Sequence, residues 1–178
     1  MKKIASISFA LFLVAGSAFY LVKGQSRKTS ETILYFNPEI YPDIIEIQEA
    51  TNDTFFDALT NWSKNDTSKI VRLNNSIPFD TEDTTTLKEY CMNNNAEFVV
   101  IPKIKYFKVG IGKLVLSNQV IVTLKLYNKE GQLISEASHD TYKKNGRLLG
   151  SAENSIEIGT KGALKTLRKN LKKSNIYL

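Results

Sequence analysis

The sequence predicts an α+β domain: a mixed sheet of about five strands with helices packed on it. The expected order is β-α-β-α-β-β-β-α, preceded by an export segment. Three observations carry this expectation. Residues 97–109, 118–127 and 132–142 read as successive β-strands, the last two joined at Asn128-Lys129-Glu130-Gly131, where the Gly lets the chain reverse. Stretches 53–64, 84–93 and 152–173 carry apolar residues at helical spacing. Lys2 and Lys3 precede an uncharged, mostly apolar run over residues 4–22, and Lys23, Arg27 and Lys28 follow it. That is the layout of a secretory signal.

The export segment admits two readings. As a helix, residues 4–22 reach about 28 Å, close to the thickness of a bilayer core, which fits an uncleaved anchor. A cleaved signal has a shorter apolar core of about 7–15 residues. Yet Val22-Lys23-Gly24 offers a cleavage site before Gln25, and Ala15-Gly16-Ser17-Ala18 an earlier one. Both readings predict export. No Cys stands near the end of the apolar run, which excludes a bacterial lipoprotein anchor. The expected organisation is a signal peptide or anchor over 1–24, a linker over 25–31, a single α/β envelope domain over 32–173 and a tail over 174–178.

Taken in order, residues 32–36 (Thr-Ile-Leu-Tyr-Phe) have the β-branched and aromatic content of a short strand, ended by Asn37-Pro38. Residues 39–51 contain Ile40, Ile44, Ile45 and Ile47, but Pro42 blocks a continuous helix, so an irregular approach is expected. The first helix is expected at 53–64, capped by Asn52 or Asp53, with Phe55, Phe56, Leu59 and Trp62 as its core stripe. Residues 68–73 read as a strand and 74–83 as a polar loop. Asp80, Glu82 and Asp83 suit the positive end of the next helix, 84–93, whose buried stripe is Leu87, Tyr90 and Cys91. Thr86-x-x-Glu89 has the form of a capping box, and Asn93-Asn94-Asn95 supplies a left-handed cap.

The apolar run Phe98-Val99-Val100-Ile101 fits a strand covered on both faces. Pro102 cannot donate to a ladder, which points to an edge or a bulge there. Residues 110–117, with two Gly, read as a flexible connection. Val120, Val122, Leu124 and Leu126 then alternate on one face of the next strand. The last helix carries Ile156, Ala163, Leu164, Leu167 and Leu171 as its stripe. Gly159 and Gly162 each cost about 1 kcal/mol inside it, a cost that close packing on the sheet would offset.

Charge is unevenly distributed. Residues 31–99 carry thirteen Asp/Glu against four Lys/Arg, whereas 100–178 carry fifteen Lys/Arg against five Asp/Glu. Such a split fits an acidic or membrane partner, two halves of one domain facing each other, or subunits packing head to tail. The candidate basic binding surface is Lys103, Lys105, Lys161, Lys165, Arg168, Lys169 and Lys172. Cations near a helix carboxyl end are stabilising by about 0.3–1 kcal/mol each, so part of this cluster needs no partner.

Chemistry is sparse. With one His and one Cys, the common metal sites, which need three or four such ligands, have no candidate. Cys91 cannot form an internal disulfide and is expected to be a buried small apolar residue. Adjacent strand residues point to opposite faces, so His139 and Asp140 cannot form a triad-like pair. No phosphate-cradling Gly loop is present. No catalytic residue, cofactor or metal site is assigned, and no nucleic acid partner is expected for an exported chain.

At Asn95-Ala96-Glu97-Phe98-Val99-Val100-Ile101-Pro102 the chain resembles the amino-terminal α/β domain of the TolB translocation protein, shared with curli-secretion-type lipoproteins. In that module a polar-Ala-acidic step leads into an apolar strand, followed by a hairpin and a carboxyl-terminal helix. The resemblance spans about residues 32–172. Two departures limit it: there is no lipobox Cys, and no β-propeller follows. It implies a non-catalytic role in assembly or transport at the cell envelope, through an envelope protein partner or self-association. An adaptor docking its basic half on anionic polysaccharide or lipid headgroups is the alternative, and an uncharacterised enzyme a minor one. The expected location is periplasmic or outer-envelope, or anchored by residues 4–22 if the signal is retained.

Overall fold

The computed structural model describes residues 30–111, 114–145 and 151–176. The export segment expected over 1–24, most of the linker and the end of the tail lie outside the described residues. The elements are β1 (Thr32–Tyr35), β2 (Glu39–Tyr41), α1 (Ile45–Ser63), β3 (Lys69–Arg72), α2 (Thr84–Asn94), β4 (Phe98–Ile111), β5 (Leu114–Asn128), β6 (Leu133–Asp140), α3 (Thr141–Asn145) and α4 (Ala152–Lys173). They build a mixed α+β sheet of six strands in the order β3-β1-β4-β5-β6, with β2 also on β4. The β1–β3, β1–β4 and β2–β4 pairs are parallel; β4–β5–β6 is an antiparallel meander.

Two apolar layers sandwich the sheet. On one face α1 and α4 lay Phe55, Phe56, Leu59, Ile156, Ala163, Leu164, Leu167 and Leu171 over Ile33, Val100, Ile104, Val120, Val122, Leu124 and Leu126. Full burial of one such side chain contributes about 1.5–3 kcal/mol. On the other face α2 and the 74–83 loop place Leu87, Cys91, Ile77 and Phe79 against Leu34, Phe36, Val99 and Ile101. The doubly covered run 98–101 and the buried Cys91 match the sequence expectation.

Local chemistry explains the helix ends. Asp83 caps α2 by accepting from the backbone N–H groups of Thr85 and Thr86 at 3.1 Å, so the Thr86-x-x-Glu89 pair lies inside the helix. Asn95 closes it in the left-handed conformation, φ 49°. Ser151 caps α4 through the Asn154 N–H.

Four expectations are corrected. Helix α1 starts at Ile45, one turn after Pro42 rather than at residue 53; its cap position, Ile44, has no side-chain acceptor to mark the start. The stretch before it holds an additional strand, β2, whose Ile40 pairs with Ile104. Pro102 is neither at an edge nor at a bulge: β1 pairs with β4 up to Val100 and β2 pairs from Lys103, so Pro102 falls where one parallel neighbour has ended and the other begins. Residues 110–111 and 114–117 continue the ladder, with Gly110 opposite Val115 and Ile111 opposite Leu114 after a register shift at Val109. In β6 a second shift, near Tyr127, leaves Leu133 half-exposed and lets Ile134 pack on the core instead.

Gly159 and Gly162 let α4 approach the sheet closely. A Cβ at Gly159 would stand 2.6 Å from Val122 Cγ2, and one at Gly162 would overlap the His139 ring. Among the described residues no helix is long and apolar enough to cross a membrane.

Candidate functional site

The seven basic residues singled out in the sequence lie on two sides of the sheet. Ile104 belongs to the α1/α4 layer, so its neighbours Lys103 and Lys105 point to the opposite face. Lys103 bridges Glu39 at 3.0 Å and Asp80 at 2.7 Å and lies over the Phe79 ring. Its ammonium is held above the usual lysine range, first by the Asp80 hydrogen bond. Lys105 lies 5.7 Å over the exposed Tyr41 ring. The other five are on α4. Lys161 bonds Glu157 one turn back, and Arg168 bonds Asp66 at 2.5 Å with its guanidinium 5.2 Å from the Trp62 ring. Lys165, Lys169 and Lys172 are exposed, with no ion pair among the described residues. Spaced at i, i+4 and i+7, they form one stripe.

Several acidic first-half residues meet basic second-half residues inside the domain. Lys103 joins Glu39 and Asp80, Lys125 joins Glu82, Lys129 joins Glu97 and Arg168 joins Asp66. The best enclosed is Lys125–Glu82, 13% and 14% exposed, where Lys125 also donates to the Phe79 carbonyl and Tyr127 to Glu82. Burial raises the Glu82 carboxyl, but the hydrogen bonds from Tyr127 and Lys125 outweigh it, and the group sits below its ordinary 4.5. Burial and the Glu82 carboxylate push the Tyr127 phenol well above its usual range. Part of the charge split is thus met inside the domain.

Arg168 also edges a cavity of about 230 Å³ between the carboxyl-terminal ends of α1 and α4, the edge strand β3 and its neighbour β1. Leu59, Ile70, Leu164, Leu167 and Leu171 make its apolar walls, and Tyr35, Asp66, Arg168 and Lys172 its polar side. Burial, reinforced by the Asp66 carboxylate, pushes the Tyr35 phenol far above its ordinary value, and Arg168 pulls in the other direction. The sequence offered Trp62 only as a core residue. It is half-buried, packed at the margin of the core with the Arg168 guanidinium over its ring. Asp66 and Tyr35 join it through tertiary folding that no local pattern marks.

A second feature sits at the other end of α1. Tyr41, Ile44 and Ile45 are 58%, 42% and 82% exposed, and Asp43, Glu46 and Glu49 beside them are exposed too. Other exposed large apolar residues, such as Met92 and Leu133, stand singly.

No family model matches the chain, and no curated protein does. Solved structures do. The PelC dodecamer from Paraburkholderia phytofirmans is similar at 10% identity and a TM-score of 0.52, over 78% of this chain and 87% of that one. A single-substitution variant of that dodecamer gives a TM-score of 0.50 at 10% identity, over 78% and 88%. A neuraminyllactose-binding hemagglutinin homolog from Helicobacter pylori follows at 14% identity and a TM-score of 0.43, over 83% and 91%. The chain shares the PelC fold.

Proposed function

We propose that this chain is an exported, non-catalytic cell-envelope domain that acts in assembly or transport by binding protein, and that it binds copies of itself. The observation that carries this reading is the fold held in common, over 78% of the chain, with a protein solved as a dodecamer. The exposed basic stripe of α4 and the acidic start of α1 support it, because complementary charge steers association and fixes register. In this reading residues 32–173 form the working domain, TolB-amino-terminal-like or curli-secretion-lipoprotein-like in character. Residues 1–24 deliver it to the periplasm or outer envelope, as a cleaved signal or as an anchor. Sedimentation velocity of the full chain in mild detergent tests the reading. Species larger than the monomer at low salt, weakened at high salt, support it; a monomer at both salts overturns it.

A second reading has its own observation. Lys165, Lys169 and Lys172 are exposed without ion pairs among the described residues, which fits an adaptor docked on an anionic envelope surface. Reversing these three charges would abolish binding to phosphatidylglycerol vesicles while leaving thermal unfolding nearly unchanged. Arg168 and Lys161 are poor choices for that test, since each already holds a carboxylate.

A further inference from the structure

We infer that the self-association proposed above, on which this inference rests, is a head-to-tail contact. The ridge formed by Ile44 and Ile45 of one copy enters the cavity between α1, α4 and β3 of the next.

The apolar ridge and the cavity lie at opposite ends of α1. Ile45 is its first residue and Trp62, on the cavity wall, its eighteenth, so the two are about 25 Å apart along the helix axis. A ridge at one place and a matching hole at another produce a heterologous contact, which closes into a ring or grows into a filament.

The two sides fit in size. The cavity, about 230 Å³, exceeds the roughly 150 Å³ apolar cavity that accepts a benzene ring, so it has room for a branched aliphatic side chain. Ile45, at 82% exposure, is the most exposed large apolar side chain among the described residues. It stands beside a second isoleucine rather than alone, and clustered apolar exposure marks contact surfaces where scattered exposure does not.

They also fit in charge. Asp43, Glu46 and Glu49 are exposed around the ridge. Lys172 lines the cavity, and Lys169 and Lys165 continue outward from it along α4. Asp66, the carboxylate on the cavity wall, is already neutralised by Arg168, so the rim presents positive charge to the incoming acidic ridge. This is the pattern that places an apolar anchor at the centre and complementary charges at the edge of an interface.

The test uses two full-chain variants in mild detergent, measured by native mass spectrometry alone and mixed. Ile45→Ser with Glu46→Gln removes the ridge, leaves the cavity and gives the reversed rim no new partner. Lys169→Glu with Lys172→Glu reverses the rim and leaves the ridge. Ser63→Phe, which blocks the cavity by volume, is a second cavity variant should the rim variant fail to fold. Each variant alone is expected to lose about thirtyfold or more in association. Mixed, the two are expected to form a 1:1 dimer and nothing larger, since only one intact ridge and one intact cavity remain to meet. Variants that assemble as the parent does would overturn the inference while leaving self-association standing. Variants that are monomeric alone and fail to pair when mixed would overturn the head-to-tail arrangement. A parent chain that is monomeric throughout would overturn the proposed function itself.

Discussion

At the scale of single residues, the sharpest expectation concerns Gly159. By helix propensity alone Gly159→Ala should stabilise α4 by about 1 kcal/mol. The new methyl would, however, stand 2.6 Å from Val122, and overpacking of this kind costs about 1–3 kcal/mol. A net destabilisation is therefore expected, seen as a lower urea midpoint at unchanged slope; a gain in stability would show that α4 is not pressed against the sheet. The Glu82 cluster sets an acid response. Because the folded Glu82 carboxyl lies below its ordinary 4.5, the stability it contributes is present above about that pH. It is lost as the pH falls through the lower folded value. Asp83, held below its ordinary value by the Thr86 side chain and the capped N–H groups, acts in the same direction. Glu82→Gln is expected to cost about 1–3 kcal/mol at neutral pH and to flatten the fall in stability below pH 4.5, measured by urea unfolding across that range. Some of this was legible beforehand: the helix glycines announced a close approach. The Lys125–Glu82–Tyr127 cluster was not, because its members are 43 and 45 residues apart from Glu82 and meet only when β5 passes under the loop.

At the scale of elements, legibility followed periodicity and capping. The α2 and α4 starts carry Asp83 and Ser151, whose side chains accept from backbone N–H groups, and Asn95 ends α2 through its left-handed backbone, so both helices were readable at their starts. The start of α1 has no such side chain, and β2 is only three residues long, too short to show alternation. Strand order was not readable either. Pairing of β1 with both β3 and β4 is a long-range outcome, and Pro102 misled because its missing N–H falls at the junction of two short neighbours. Of the seven basic residues, the spacing along α4 grouped five on one helix, but alternation in β4 put Lys103 and Lys105 on the opposite side of the sheet. Helix α1 is anchored at its middle by Phe55, fully buried against the sheet. Phe55→Ala is expected to cost about 3–5 kcal/mol. Ile45→Ser, one residue into the same helix, is expected to change stability by less than about 0.5 kcal/mol. Thermal unfolding of the pair distinguishes a packed helix middle from a solvent-facing start.

At the scale of the whole molecule, the uneven charge has two parts. One part is internal, in cross-sheet and loop ion pairs that tie the acidic first half to the basic second half. A second part is displayed outward at the two ends of α1, acidic beside Ile45 and basic along α4. Exposed charges more than a Debye length apart are screened by salt, whereas the enclosed Lys125–Glu82 pair is screened much less. Salt should therefore weaken association between copies far more than it weakens the fold. A native mass measurement on the full chain in mild detergent, at low and at high salt, tests the central claim of self-association most directly. The expected result is a mass several times that of one chain at low salt, falling towards a single chain at high salt. A single-chain mass at both would contradict it.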